Sequence, residues 1–330
     1  MTTTTAKTFT DITIVFMGTP EFAVASLDAL VKAGCNIVGV ITAPDKAAGR
    51  GLQLQQSAVK KYAVENDLHV LQPEKLKDPA FLEALRSLKA DLQIVVAFRM
   101  LPEVVWSMPP MGSVNLHGSL LPQYRGAAPI NWAVINGEKK TGVTTFKLKH
   151  EIDTGNILLQ ESFAIAETDN AGDVHDRMKE IGANLLLKTV KGLADGTLKE
   201  TPQTSEVSEE PAEANSQLAT HHSPLKHAPK IFTETCKIDW NKPVDEVYNL
   251  IRGLAPYPAA FSFLNDKKLK IFKAEKVNKV PSAQPGNYDT DNKTFLQFAC
   301  CNGYISLLEL QLEGKKKMAI ADFLRGYRFE

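Results

Sequence analysis

Apolar and polar positions near the start of the chain follow two different periods. Ile12 to Met17 is a short apolar run rich in β-branched residues, and Gly18-Thr19-Pro20 ends it, which is typical of a strand followed by a turn. From Glu21 to Ala33 the apolar residues recur at helical spacing, and Asn36 to Thr42 again has the pattern of a buried strand. A strand, a helix and a strand within about thirty residues predict a βαβ unit with parallel strands.

The same alternation continues to about residue 200. It predicts helices over 57–66, 79–88, 127–135 and 171–193, and strands over 69–71, 91–97, 113–116, 143–148 and 157–165. Strands that alternate with helices favour an α/β fold: a Rossmann-like open, mostly parallel sheet with helices on both faces.

A change of composition then divides the chain. Residues 201–229 are rich in Ser, Pro, Glu, Ala and Thr, which is typical of an exposed linker. Short strands separated by Gly and Pro follow this segment and indicate a small β-barrel or sandwich. We therefore predict a first domain over 1–205, a linker over 206–230 and a second domain over 231–330, with a helix over 244–252 and strands over 260–264, 268–277, 295–299 and 304–312.

Charge and cysteine content add only a few constraints. Lys plus Arg number 38 and Asp plus Glu number 38, so the formal net charge is zero. This balance gives no overall attraction to nucleic acid or to an anionic membrane, and any basic surface must be local. The four cysteines lack metal-ligand spacing, and the adjacent Cys300 and Cys301 would point to opposite faces of a strand. Without a long apolar run or heptads, we expect a cytoplasmic monomer with no membrane partner and no metal site.

The stretch NLHGSLLPQYRG, from Asn115 to Gly126, carries the polar groups that most suggest chemistry. It follows a predicted strand, and open α/β sheets bind ligands beyond the carboxyl ends of their strands. If the strand reaches His117, the side chains of Asn115 and His117 share one face. An amide and an imidazole side by side suit the stabilisation of a developing oxyanion.

A second candidate is Asp153, in the glycine-containing loop EIDTGN between two predicted strands. Its carboxylate could orient His117 or accept a proton, and it could equally close an Asx turn on its own backbone. Sequence spacing does not show whether the two loops meet, so both interpretations stay open here.

The motif NLHGSLLPQYRG, followed by DTG, resembles the signature of the 10-formyltetrahydrofolate-dependent formyltransferases. The resemblance implies a catalytic trio of Asn115, His117 and Asp153, and 10-formyltetrahydrofolate as the formyl donor. Where the family often has Tyr-Gly, this chain has Phe98-Arg99. The residues that the resemblance implies around the folate are Ser119, Leu120, Leu121 and Pro122 as contacts, and Val95, Ala97 and Phe98 as walls of the pterin pocket.

Three further regions resemble the family members that act on methionyl-tRNA. They are FMGTPEFA at 16–23, PDKAAGRG at 44–51, and the lysine-bearing carboxy-terminal region. The resemblance implies formyl transfer to the α-amino group of methionine on initiator tRNA, for translation initiation, and an OB-like second domain. Basic residues would hold the RNA backbone, and those implied are Lys46, Arg50, Lys267, Lys268, Lys270, Lys315, Lys316 and Lys317.

Three alternatives compete with this interpretation. A formyltransferase that acts on an amino-sugar nucleotide would share the motif but has no need of the basic loop or the lysine-rich tail. A noncatalytic RNA-binding protein on the same fold would have no need of Asn115, His117 and Asp153. An NAD-dependent dehydrogenase would need a Gly-x-Gly-x-x-Gly fingerprint after the first strand, and this chain has Gly18-Thr19-Pro20 there instead.

Overall fold

The computed structural model describes residues 8–48, 53–203 and 224–329. The chain divides into two compact units. The first comprises Met1–Arg125, Gly142–Ser162 and Asp176–Lys226, and the second comprises Gly126–Thr141, Phe163–His175 and His227–Glu330. The second unit therefore includes two short segments from earlier in the chain in addition to the predicted domain over 231–330. Most of the predicted linker lies outside the described residues, from 206 to 223.

The elements as far as residue 194 follow the predicted alternation of strands and helices. In chain order they are β1 (Thr13–Gly18), α1 (Glu21–Lys32), β2 (Asn36–Ile41), β3 (Lys46–Ala48), β4 (Gln53–Gln55), α2 (Ala58–Glu65), β5 (Val70–Leu71), α3 (Pro79–Ser87), β6 (Leu92–Val96), α4 (Glu103–Trp106), β7 (Ser113–His117), β8 (Arg125–Gly126), α5 (Pro129–Ile135), β9 (Lys140–Lys147), β10 (Ile157–Ala164) and α6 (Ala171–Ala194).

Several short elements were not predicted, among them the pair β3–β4 and the helix α4. The basic segment 44–51 is predicted to be a loop, but its residues 46–48 form β3, which pairs antiparallel with β4, with Lys46 opposite Gln55. Residues 49–51 lie outside the described residues. The pairing is a tertiary feature, because three-residue strands are too short to show a period of their own. The helix α4 was not predicted for the same reason, because it has only four residues.

A seven-stranded sheet in the order β10-β9-β7-β6-β1-β2-β5 carries the site described below. β1 is parallel to β2 and β6, and β6 is parallel to β7. β9 runs antiparallel to β7. The prediction of an open, mostly parallel sheet is confirmed.

Helices cover both faces of this sheet. On one face Met17 and Val95 belong to one buried cluster with Phe81 and Leu85 of α3. On the opposite face, a Cβ at Gly182 of α6 would lie 2.9 Å from Cδ2 of Leu116. Burial of both faces explains why the central strands read as nearly continuous apolar runs.

The elements after residue 226 are β11 (His227–Ala228), α7 (Val244–Leu254), β12 (Ala260–Leu264), β13 (Lys267–Val277), β14 (Tyr288–Thr290), β15 (Leu296–Ala299), β16 (Tyr304–Leu312), β17 (Met318–Ala319) and α8 (Ile320–Gly326), with a 3₁₀ turn at Glu234–Cys236.

The second unit contains an antiparallel sheet in the order β12-β13-β16-β15-β14, with β17 beside β16. Irregular register in β13 around Lys273 bends the strand, and Trp240 stacks on Phe298 in the core with centroids 4.8 Å apart. Cys300 is buried and Cys301 is exposed, and both follow the strand that ends at Ala299.

Among the described residues, none of the helices combines the length and the apolarity needed to span a bilayer.

Candidate active site

Two polar side chains share one face at the carboxyl end of β7. Asn115 is in register with Val95 of β6 and with Phe146 of β9, and His117 is in register with Thr144. β7 continues to His117, as the prediction of a shared face requires. Side chains two residues apart on a strand lie on the same side.

The imidazole of His117 is held in a defined orientation. Its Nε2 lies 2.9 Å from the carbonyl oxygen of Tyr124, and a carbonyl can only accept, so Nε2 carries the proton of this hydrogen bond. The ring stands edge-on to Phe146 at 85° and the residue is only 7 % exposed. Nδ1 is therefore the nitrogen left for chemistry.

Asp153 lies beside that nitrogen. Its Oδ2 is 3.8 Å from Nδ1 of His117, and the two side chains are 11 % and 8 % exposed. The distance is too long for a hydrogen bond but lies within the range of an ion pair, which would form with Nδ1 protonated. Asp153 has φ of 55°, a left-handed conformation that Asp adopts more readily than most residues.

The side-chain amide of Asn115 remains available to a ligand. The residue is partly exposed, and within the described part of the chain no hydrogen bond engages its amide. Two N–H donors therefore stand on the same strand face as the imidazole, ready for an acceptor that is not part of the protein.

The loop after β7 is tied to the neighbouring strands by Thr144 and Gln160. Oγ1 of Thr144 donates to the carbonyl of Ser119 at 2.7 Å and accepts from the backbone N–H of Leu121 at 3.1 Å. Nε2 of Gln160 donates to the carbonyl of Leu121 at 2.8 Å and to Oγ1 of Thr144 at 2.9 Å. These two residues shape the loop, yet sequence reasoning missed them, because an isolated Thr or Gln on a strand carries no signal.

The predicted folate contacts on this loop fall into two groups. Ser119 is fully buried and donates its hydroxyl to the carbonyl of Gln123 at 2.6 Å, so that hydroxyl serves the loop. Leu121 is also buried, whereas Leu120 and Pro122 are partly exposed. Only the latter two present side-chain surface that a ligand could reach.

The predicted pterin wall lies at the carboxyl end of β6. Val95 is buried, Phe98 packs against the same apolar cluster, and Ala97 is exposed with φ of 47°. Arg99 donates to the carbonyl oxygens of Pro73 and Glu74 and lies against the ring of Phe98. An apolar wall in register with one unengaged amide suits a flat heterocycle that carries a formyl oxygen.

The antiparallel pair β3–β4 is anchored at its base by a charged group. The carboxylate of Asp45 accepts from Nζ of Lys60 at 2.5 Å and from Nε2 of Gln72 at 2.8 Å. The hydrogen bond from Lys60 is the main cause that lowers the pKa of Asp45 below its ordinary value. Lys46 is exposed on β3, whereas Arg50 lies outside the described residues.

The lysines predicted to bind RNA in the second unit come together at one end of β13 and β16. The N–H of Glu313 donates to the carbonyl of Lys268 at 2.8 Å, which brings the start of β13 beside the turn that carries Lys315. Three of the lysines already have partners: Lys268 lies 3.7 Å from the centroid of the Phe261 ring, Lys270 donates to the carbonyl of Pro258, and Lys317 pairs with Glu309 at 2.6 Å. The exposed ones are Lys267, Lys315, Lys316 and Lys317.

Over residues 8–48, 53–203 and 224–329, no three His, Cys, Asp or Glu side chains come close enough together to hold a metal ion.

The fold is shared with solved structures of low sequence identity. An N-formyltransferase from Helicobacter canadensis, in complex with folinic acid and dTDP-3-aminofucose, aligns with a TM-score of 0.65 at 21 % identity, covering 93 % of this chain and 100 % of that one. HypX from Aquifex aeolicus, in complex with tetrahydrofolic acid, aligns with a TM-score of 0.61 at 17 % identity, covering 97 % of this chain and 47 % of that one. At such identities the similarity concerns the fold alone.

Sequence comparison is more specific. The formyl transferase family model matches residues 12–190, and the model of the formyl transferase C-terminal domain matches residues 230–328. The chain is 55 % identical to the methionyl-tRNA formyltransferase of Bacteroides fragilis over 96 % of this chain and 95 % of the relative. It is 56 % identical to that of Parabacteroides distasonis and 50 % identical to that of Flavobacterium johnsoniae, each over 96 % of both chains. The chain therefore belongs to the formyl transferase family, within its methionyl-tRNA formyltransferase branch.

Proposed function

We propose that this protein transfers the formyl group of 10-formyltetrahydrofolate to the α-amino group of methionine esterified to initiator tRNA. The observation that carries the proposal is the proximity of the motif residues. Nδ1 of His117 lies 3.8 Å from Oδ2 of Asp153, and β7, which carries His117, also presents the unengaged amide of Asn115. The branch to which the chain belongs supplies the acceptor. We further propose that the protein acts as a monomer in the cytoplasm, where charged initiator tRNA is used.

The first chemical role is stabilisation of charge on the formyl oxygen. As the neutral amine attacks the formyl carbon, negative charge develops on that oxygen, and a fixed N–H donor lowers the barrier. Asn115 fits this role because its amide has no competing partner in the described chain. Donors that need no reorganisation are worth more in a partly buried site than in water.

The second role concerns the proton of the amine. Because Nε2 of His117 donates to Tyr124, the neutral ring has its lone pair on Nδ1 and can accept a proton there. The resulting imidazolium would be stabilised by Asp153 and could donate from Nδ1 to the formyl oxygen or return the proton to the leaving nitrogen of the folate. Asp153 thus acts by orienting and charge-balancing His117, directly or through a water.

The third role is positioning of the donor and the acceptor. The folate supplies the formyl group, and the residues available to hold it are Leu120, Pro122, Ala97 and Phe98. The buried Ser119 and Leu121 shape the loop from inside, and the buried Val95 supports the wall of the pterin pocket from behind. The tRNA backbone would be held by Lys46 and Arg50 and by the lysines at the end of β13 and β16. Holding both reactants in one geometry lowers the barrier without any change in the chemistry.

The test is direct measurement of formyl transfer from 10-formyltetrahydrofolate to charged initiator methionyl-tRNA. Uncharged tRNA and dTDP-3-aminofucose serve as control acceptors, the second because the amino-sugar enzymes share the fold. Formylmethionyl-tRNA as the main product supports the proposal, and formyl transfer to the sugar alone refutes it. His117→Ala should abolish most of the turnover while tRNA affinity stays unchanged, and Arg50→Ala should reduce the rate at limiting tRNA.

A further inference from the structure

The side-chain amide of Gln203 joins the loop of Asp153 to the end of the NLHGSLLPQYRG motif, within the first unit. Nε2 of Gln203 donates to the carbonyl oxygen of Asp153 at 2.9 Å and to that of Gly155 at 2.8 Å. Its Oε1 accepts from Nε and Nη2 of Arg125 at 3.0 and 2.6 Å. A primary amide offers two N–H donors and one oxygen with two lone pairs, so every hydrogen-bonding position of this side chain is used.

The segment before Gln203 holds it beside the loop of Asp153. Thr201 and Ile157 exchange two backbone hydrogen bonds of 2.8 Å. The side chain of Asn156 donates to the carboxylate of Glu200 at 2.9 Å. Because Ile157 begins β10 directly after that loop, residues 200–203 run alongside the loop and fix where the amide of Gln203 can reach.

The opposite side of the loop is fixed by β9. A Cβ at Gly155 would lie 1.6 Å from the carbonyl oxygen of Lys147, so the backbone there is pressed against the strand. The N–H of Lys147 also donates to the carbonyl of Asn156 at 3.0 Å. The loop is therefore held between β9 and Gln203, without room to shift towards the strand.

This arrangement bears on the direction of the Asp153 carboxylate. The two carbonyls bound by Gln203 belong to Asp153 itself and to Gly155, and the backbone at Asp153 has φ of 55°. A sparsely populated backbone conformation persists where its surroundings over-determine it. The hydrogen bonds from Gln203 help to hold the backbone at Asp153 in this conformation. The backbone in turn sets the direction in which the Asp153 carboxylate points towards His117.

We propose that Gln203 is a positioning residue for formyl transfer, which acts through Asp153 and touches neither substrate. The inference rests on the proposed function. Arg125, at the end of the NLHGSLLPQYRG motif, orients the amide so that its N–H groups face the two carbonyls. Gln203→Glu tests the arrangement, because it keeps the size and the acceptor for Arg125 but replaces both N–H donors with a carboxylate oxygen that repels the carbonyls.

The experiment compares kcat and both KM values of the wild type, Gln203→Glu, Asp153→Asn and the double variant. In Gln203→Glu we expect kcat to fall on the order of 10-fold, because a small displacement of a reacting group is costly, while both KM values stay at the wild-type level. In the double variant we expect no loss beyond that of Asp153→Asn, because residues that act through one another are not additive. Asn66→Asp is the matched control: it makes the same charge change and removes an amide-to-carbonyl bond of 2.9 Å to Tyr62.

A second measurement does not depend on activity. Hydrogen–deuterium exchange over residues 150–157 should be faster in Gln203→Glu than in the wild type and in Asn66→Asp. Wild-type kcat in Gln203→Glu, full additivity with Asp153→Asn, or unchanged exchange would each overturn the inference. If Gln203→Glu does not fold, Gln203→Asn, which keeps the amide but is one methylene shorter, goes through the same measurements. A wild type that does not formylate methionyl-tRNA would count against the proposed function, and the exchange experiment would still decide whether Gln203 fixes the loop.

Discussion

Nδ1 of His117 faces Oδ2 of Asp153 at 3.8 Å, while the other ring nitrogen is committed to the carbonyl of Tyr124. The two contacts fix which nitrogen can change its protonation state during a reaction. A protonated Nδ1 would meet a carboxylate in a site from which most water is excluded, where the attraction between charges is stronger than at the surface. We therefore expect substitutions around this pair to have distinct effects on turnover, on folate binding and on stability.

Asn115→Ala should lower turnover without lowering stability. The amide has no partner in the described chain, so its removal breaks no hydrogen bond of the fold, and we expect the free energy of unfolding to change by less than about 0.5 kcal/mol. Loss of one donor to the formyl oxygen should reduce kcat by about 10²–10³-fold. Steady-state kinetics and thermal melting check both parts, and Asn66→Ala is the control for the loss of a side-chain amide elsewhere. Near-normal turnover of Asn115→Ala would remove Asn115 from the mechanism.

Thr144→Val should weaken folate binding and destabilise the protein. The substitution keeps the shape of the side chain but leaves the carbonyl of Ser119 and the N–H of Leu121 without the hydroxyl, and unsatisfied buried groups cost about 1–3 kcal/mol each. We expect the KM for 10-formyltetrahydrofolate to rise, because the loop after β7 loses its tie to β9.

Thr189→Val is the matched control for this change. Thr189 is equally buried, and its hydroxyl bonds Thr145 and the carbonyl of Leu185 instead of the loop. It should lower the melting temperature while leaving the folate KM unchanged. An equal rise of KM in both variants would show that general loosening, and not the loop, is responsible.

Gly155→Ala should impair both folding and catalysis. The added methyl group would meet the carbonyl of Lys147 at 1.6 Å, so the loop or the strand must move, and overpacking of this kind costs about 1–3 kcal/mol. Because the same loop carries Asp153, kcat should fall as well. Gly326→Ala should be tolerated, because within the described part of the chain no atom beyond the adjoining residues and the helix backbone lies within 4 Å of the new methyl group. Wild-type melting of Gly155→Ala would contradict the close approach.

The ion pair of Asp45 with Lys60 should make the stability of the wild type depend on pH in the acid range. The hydrogen bond from Lys60 lowers the pKa of Asp45 below its ordinary value of 3.8. A carboxyl with a lowered pKa in the folded state contributes stability that is present above the unfolded pKa and is lost as the pH falls through the folded pKa. The melting temperature of the wild type should therefore exceed that of Asp45→Asn at pH 7, and the difference should shrink below about pH 4. Melting curves of both proteins from neutral to acid pH check this, and a difference that stays constant with pH would refute it.

Much of the fold follows from local pattern. The apolar runs at 12–17, 36–42 and 91–97 lie within one or two residues of the strands β1, β2 and β6, because strands buried on both faces need apolar side chains at nearly every position. The helices α1 and α6 were recognisable because their apolar stripe repeats over several turns. The short elements α4, β3 and β4 were not, because they are shorter than the stretch of sequence over which an apolar period can be recognised.

The catalytic trio was predicted from the family motif, and the position of Asn115 and His117 on one face also follows from strand geometry alone. The sequence by itself thus determined the sheet, the order of its helices, the family and the motif residues, since these depend on periodicity and on contiguous residue identity. Only the tertiary structure decided that Nδ1 of His117 faces Asp153, that Thr144 and Gln160 hold the loop after β7, and that Gln203 joins Arg125 to the loop of Asp153. Those contacts connect residues far apart in the chain through a few hydrogen bonds and one close approach of a ring nitrogen to a carboxylate. They depend on the register of neighbouring strands and leave no periodic trace in the sequence.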